Sequence, residues 1–141
     1  MMRATVAAVL RRRTSAVATI MPSASLADAA RELASRDIGF LPVCDTKGAL
    51  IGVLSERDIV RAIAKNGANT PTLPVEQVYT REAVTCTMET DVHGVIAVMH
   101  EKRIRHLPVL RDGHLVGVVS LNDLVIHLLR EAEQVSQQFV L

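Results

Sequence analysis

The stretch ASLADAARELASRDIGFLPV at residues 24–43 recurs as TDVHGVIAVMHEKRIRHLPV at residues 90–109, displaced by 66 positions. A one-residue gap at Lys47 carries the match onward, from GALIGVLSERDIV at 48–60 into GHLVGVVSLNDLV at 113–125. The correspondence pairs Thr19 with Thr85, Ile38 with Ile104, Pro42 with Pro108, Gly52 with Gly117, Ser55 with Ser120 and Asp58 with Asp123. An internal duplication therefore organises the chain, and each copy should be one structural unit.

Within each copy the hydrophobic period changes in the same order. A short β segment comes first, at 17–20 and 83–87. Leu26, Ala29, Ala30 and Leu33 then follow the i, i+3, i+4, i+7 spacing of one helical face, matched by Val92, Val95, Ile96 and Met99. Ser25 and either Asp91 or Thr90 stand where helix N-caps are expected. Two strands follow, 40–44 with 50–54 and 106–110 with 115–119. The turns Asp45-Thr46-Lys47-Gly48 and Arg111-Asp112-Gly113 make each pair a hairpin. A second helix begins at Ser55 or Ser120, so the unit reads β-α-β-β-α. Three strands and two helices cannot bury both helical faces alone. The expected fold is α+β, two such units packed with pseudo-two-fold symmetry, sheet against sheet, leaving two equivalent clefts. The expected boundaries are a lead-in helix at 1–13, units at 14–65 and 77–130, a Gly-, Pro-, Asn- and Thr-rich linker at 66–76, and a helical tail at 131–141.

Composition narrows the function. At 141 residues, 49% hydrophobic and 22% charged, the chain suits one globular domain and is too apolar for disorder. A net charge of +1 provides no general attraction to nucleic acid or anionic membrane, and 2% aromatics leave few platforms for base stacking. No apolar run approaches the ~18 residues of a membrane span. Cys44 and Cys86 lack metal-site spacing and disulfide-scaffold density, so reduced thiols in a cytoplasmic protein are expected. Residues 1–27 hold no acid and include Arg11-Arg12-Arg13. A transit peptide would have this character too, but residues 16–20 already belong to the first repeat, so a lead-in helix is the better reading. The histidines His93, His100, His106, His114 and His127 show no tight ligand spacing. No nucleophile–base set or Gly-rich phosphate loop is visible either, so catalysis is not expected.

The recurring pair GVLSERD, at 52–58, and GVVSLND, at 117–123, carries the most chemical content. Serine three residues before aspartate is capping-box spacing, which requires no ligand. The two whole repeats, however, resemble a pair of CBS domains, the arrangement also called a Bateman module, over roughly residues 14 to 130. That resemblance implies a regulatory module that takes adenine nucleotides, AMP, ADP or ATP, or a related adenosyl ligand, in its clefts. It also implies frequent homodimerisation through helices. Its binding pattern, glycine, two apolar residues, Ser or Thr, then Asp three residues on, is met by both stretches.

Under this resemblance Asp58 and Asp123 accept the ribose hydroxyls, while Ser55 and Ser120 and the free N–H groups of the helix starts face a phosphate. Gly52 and Gly117 let a base or sugar lie against the strand. Thr19, Ile20 and Ile38 in one cleft, and Thr85, Cys86 and Ile104 in the other, border the adenine. The clefts are not alike: Arg57 in the first is replaced by Asn122 in the second, which instead carries Arg105 and His106 before its Leu-Pro-Val. Arg57 and Arg105 are the phosphate candidates. The implied function is adenosyl sensing, without a catalytic cofactor, with output to a separate effector protein. The alternative is a nucleotide-free dimerisation or docking scaffold.

Overall fold

A computed structural model of the chain describes residues 4–10 and 17–139, with side chains to residue 136. Its elements in order are α1 (Val6–Leu10), α2 (Leu26–Arg36), β1 (Phe40–Cys44), β2 (Leu50–Ser55), α3 (Glu56–Asn66), β3 (Cys86–Thr87), α4 (Val92–Lys102), β4 (His106–Arg111), β5 (His114–Ser120) and α5 (Leu121–Phe139). Two 3-10 segments, Gly67–Thr72 and Val75–Gln77, lie between α3 and β3. The chain divides into two compact units, one spanning residues 17–84, the other joining residues 4–10 to residues 85–139.

The first unit is built around α2, β1, β2 and α3. Ser25 caps α2 by accepting the Asp28 N–H at 3.1 Å, and Leu26, Ala29 and Leu33 turn inward from one face, as their spacing requires. β1 and β2 form the antiparallel hairpin, closed by Gly48 at φ +80, a conformation that glycine adopts without a Cβ penalty. On the outer side of β1, Ile20 adds a single parallel bridge to Val43. The core is Ile20, Leu26, Ala29, Leu33, Leu41, Val43, Leu54, Ala62 and Val75.

The stretch expected as a linker is folded onto this unit. Thr70 is buried, its hydroxyl donating to the carbonyls of Ala62 and Gly67, and Val75 is fully enclosed. Thr80 then pairs antiparallel with Val53, exchanging two 2.9 Å backbone bonds. Because Val53 spends its N–H and C=O on Thr80, the Pro42 opposite it in the hairpin loses nothing by lacking an N–H.

The second unit repeats the plan. Asp91, rather than Thr90, caps α4 by accepting the Gly94 N–H at 3.2 Å; Thr90 instead receives the Thr87 N–H. β3 pairs parallel with β4, and β4 antiparallel with β5, with a bulge at Val109/Leu110 where the first hairpin has one at Val43/Cys44. The part played by residues 73–79 in the first unit is taken here by residues 4–10. Leu26 N–H bonds Leu73 O and Val92 N–H bonds Ala4 O; Val75 N–H bonds Ala24 O and Val6 N–H bonds Thr90 O; Glu76 N–H bonds Pro22 O and Ala7 N–H bonds Met88 O. Each unit is thus completed by the segment that precedes the other repeat. The lead-in helix is present as α1, while Arg11, Arg12 and Arg13 lie outside the described residues, as do Val140 and Leu141.

α5, at 19 residues, is longer than the 11-residue α3, and residues 131–136 are all exposed. Among the described residues no helix is long and apolar enough to cross a membrane.

Candidate functional site

Each β-strand that ends in serine passes directly into a helix, so the serine takes the N-cap and the aspartate three residues on falls in the first turn. In the first unit the arrangement is reciprocal. Ser55 Oγ accepts the Asp58 N–H at 3.2 Å, and Asp58 Oδ2 accepts the Ser55 N–H at 3.0 Å, a complete capping box. In the second, Ser120 Oγ accepts the Asp123 N–H at 3.0 Å. Both aspartates are half-buried and both belong to the positive end of a helix. The capping role and a ligand role are compatible here, since a carboxylate offers about four lone-pair positions and the cap uses one.

Asp58 has a further partner that sequence reasoning missed. Thr80, 22 residues away, donates its hydroxyl to Oδ1 at 3.3 Å and Oδ2 at 3.4 Å. Beside it the Tyr79 ring carries the Arg81 guanidinium 5.8 Å from its centroid. The signal was present but weak: Val75, Val78 and Tyr79 share the spacing of Val6, Val9 and Leu10, the two segments that complete the units.

The glycines need a corrected reason. A Cβ on Gly52 would sit 2.5 Å from two Tyr79 ring carbons and closer still to the Thr80 carbonyl oxygen; one on Gly117 would meet Leu10 Cδ1 at 2.9 Å. The space that a Cβ would take is filled by the protein itself, by the Thr80 carbonyl and the Tyr79 ring at Gly52 and by the Leu10 side chain at Gly117. These glycines admit the completing segments.

The remaining residues are placed as follows. Ile20 is buried in the first core, and Cys86 is buried with its thiol donating to Pro108 O at 3.8 Å. Burial pushes the Cys86 thiol up to about 11, and burial, then the neighbouring Asp45 carboxylate, raises that of Cys44. Thr19 and Thr85 are exposed, and Ile38 and Ile104 are half-buried just after the left-handed residues Asp37 and Arg103 that end α2 and α4.

The residue before each Leu-Pro-Val is tied to the helix start. Gly39 O accepts the Glu56 N–H at 3.0 Å and Arg105 O accepts the Leu121 N–H at 2.8 Å. Arg105 is therefore held beside the N-terminus of α5, with exposed Asn122 in the same turn and His106 opposite Ser120 in the hairpin register. In the first unit the same place holds an acid: Glu56 Oε1 lies 3.2 Å from where a Gly39 Cβ would be, next to exposed Arg57. The two helix starts share their Ser–Asp frame and differ in the charge around it. Among the described residues no group of three His, Cys, Asp or Glu side chains is placed to hold a metal ion.

Comparison with known proteins agrees with this repeat. The family model of the CBS domain matches twice, at residues 6–65 and 75–130. The chain is 32% identical over 114 residues to the CBS domain-containing protein YhcV of Bacillus subtilis, covering 81% of this chain and 80% of that one. Among solved structures it is similar to the CBS-domain containing protein ATU1752 from Agrobacterium tumefaciens, with a TM-score of 0.84 and 33% identity over 89% of this chain and 93% of that one. It is also similar to the CBS domain pair of protein MJ0100 in complex with 5′-methylthioadenosine and S-adenosyl-L-methionine, with a TM-score of 0.79 and 26% identity over 92% and 99% of the two chains.

Proposed function

The chain belongs to the CBS-domain family, with two such domains in tandem, and from that premise we propose that it is a regulatory module sensing an adenosine-containing ligand. The observation that carries this reading is the duplicated helix start, in which a serine hydroxyl accepts the N–H of the aspartate three residues on, at Ser55–Asp58 and again at Ser120–Asp123. Each carboxylate accepts ribose hydroxyls, and the N–H groups of the first turn, with Ser55 or Ser120, favour an anion. Thr19, Ile20 and Ile38, with Thr85, Cys86 and Ile104, border the base. Arg57 serves the first phosphate side; Arg105, with His106 and Asn122, serves the second. The adenosyl complex of the similar MJ0100 pair supports the ligand class. Binding shifts an equilibrium between states of unequal affinity, read by a separate effector protein.

The test is calorimetry and thermal melting with AMP, ATP, NAD and S-adenosylmethionine at millimolar concentration. A ligand at 100 times its dissociation constant adds ~2.7 kcal/mol of stability. Asp58→Ala and Asp123→Ala should each remove the response of one unit. No heat and no stabilisation with any of the four compounds defeats the reading.

A scaffold role is the second reading. It is favoured by the large apolar residues that α3 and α5 each leave uncovered, Val60 at 62% and Ile63 at 53% exposure on α3, and Leu129 at 59% on α5. Burial of these faces in a homodimer, seen as a doubled mass by sedimentation, with no nucleotide response, would decide for it.

A further inference from the structure

Asp58 is already engaged from outside its own helix. The Thr80 hydroxyl is 3.3 Å from one carboxylate oxygen and 3.4 Å from the other. A donor nearly equidistant from both oxygens lies on the bisector of the carboxylate, the position a vicinal diol straddles when each of its hydroxyls donates to one oxygen. The Ser55 N–H approaches Oδ2 separately, at 3.0 Å, and a diol leaves that bond in place.

Thr80 does not reach this position by chance of an unanchored loop. Its N–H and C=O are both bonded to Val53 at 2.9 Å, and the Tyr79 ring before it is seated against Gly52. The backbone is pinned, so only rotation about χ1 withdraws the hydroxyl, and a β-branched side chain has few alternatives. The Thr80 side chain is exposed, which leaves it replaceable from solvent.

We propose that Thr80 is a built-in competitor for the Asp58 carboxylate, so that a ligand carrying a vicinal diol occupies the first unit only by displacing the Thr80 hydroxyl. The inference rests on the adenosyl reading above and adds to it a residue that sets affinity. Displacement forfeits one hydrogen bond to a charged group, weakened by its length and exposure, so its removal is worth about three- to tenfold in affinity.

The experiment uses the whole chain carrying Asp123→Ala, so that the first unit alone responds, titrated calorimetrically with AMP and with 2′-deoxy-AMP. Thr80→Val should bind AMP about three- to tenfold more tightly than Thr80, while Thr80→Ser, which keeps the hydroxyl, stays near the parent. 2′-Deoxy-AMP, without the diol, should gain less from Thr80→Val than AMP does. Thr80→Ala repeats the measurement if the valine variant melts abnormally. Unchanged or weaker AMP binding in the variants lacking the hydroxyl overturns the competitor while leaving the ligand reading intact. No AMP binding by the parent or any variant overturns the competitor, and the adenosyl reading falls with it when ATP, NAD and S-adenosylmethionine also give no response with the unsubstituted chain.

Discussion

Gly52→Ala and Gly117→Ala are the same substitution at repeat-related sites, and the structure predicts unequal outcomes. Neither glycine has a positive φ, so alanine brings no backbone strain, and relief of glycine's entropy cost in a strand would favour it by roughly 0.5–1 kcal/mol. The added methyl reverses that sign at Gly52. It overlaps the Thr80 carbonyl oxygen and lies 2.5 Å from two Tyr79 ring carbons. Thr80 is bonded to Val53 on both of its backbone groups and cannot retreat without breaking them. Overpacking of this kind costs about 1–3 kcal/mol, and the rigid obstacle places Gly52→Ala at the upper end, a net loss of about 2–3 kcal/mol. For a chain of this size that is about 6–12 °C in melting temperature. At Gly117 the obstacle is Leu10 Cδ1 at 2.9 Å, the far end of a flexible side chain, and rotation absorbs most of the clash. The net should be within about 1 kcal/mol of zero. Urea unfolding followed by far-UV circular dichroism, with the slope checked for constancy, measures both. Tyr79→Ala added to Gly52→Ala should fail to restore stability, because the carbonyl oxygen remains. Equal losses at the two glycines, or full rescue by Tyr79→Ala, would refute the assignment of Thr80 as the rigid wall.

Other outcomes follow from the same contacts. Ser55→Ala removes one half of the reciprocal cap of α3 and should cost about 1 kcal/mol in the same urea assay. Val6→Ala should destabilise by about 1–3 kcal/mol although it lies in a short N-terminal helix, because Val6 is fully enclosed by the second unit; hydrogen exchange should place the loss in residues 85–139 rather than 17–84. Cys86 should resist a thiol reagent at pH 8 in the folded chain and react on unfolding. Its raised pKa, about 11 against 9.0, means that the folded form holds the proton more tightly. The associated stability is fully present below pH 9 and is lost as the pH rises through 11, and Cys86→Ser should flatten that alkaline loss.

The parts of the fold governed by nearest neighbours were legible in the residues. Helical spacing in Leu26–Ala29–Leu33 and Val92–Val95–Met99, the caps at Ser25 and Asp91, and the turn glycines Gly48 and Gly113 each act over four or five positions and formed where the residues placed them, except that Ala30, read onto the same apolar face, is exposed, and that Asp91 and not its alternative Thr90 is the cap. The Ser–Asp frames were legible for the same reason, a spacing of three inside one helical turn. The surroundings of that frame were not. Thr80 reaches Asp58 from 22 residues away, and Tyr79 and Leu10 fill the faces of Gly52 and Gly117 that had been expected to admit a ligand.

Duplication of the pattern was enough to specify the α-β-β-α order of both units and the serine–aspartate start of each second helix, because local periodicity and capping depend on residues close in the chain; the opening β segments read at 17–20 and 83–87 shrink to a single bridge at Ile20 and to the two residues of β3. Which segment completes which unit was settled only in three dimensions. Residues 73–80 close the unit before them and residues 4–10 close the unit formed by the second repeat, an assignment made by backbone bonds and buried valines that no local propensity encodes. The physical reason is that an exposed sheet edge and an uncovered apolar helix face accept whichever strand and side chains the chain's path can deliver.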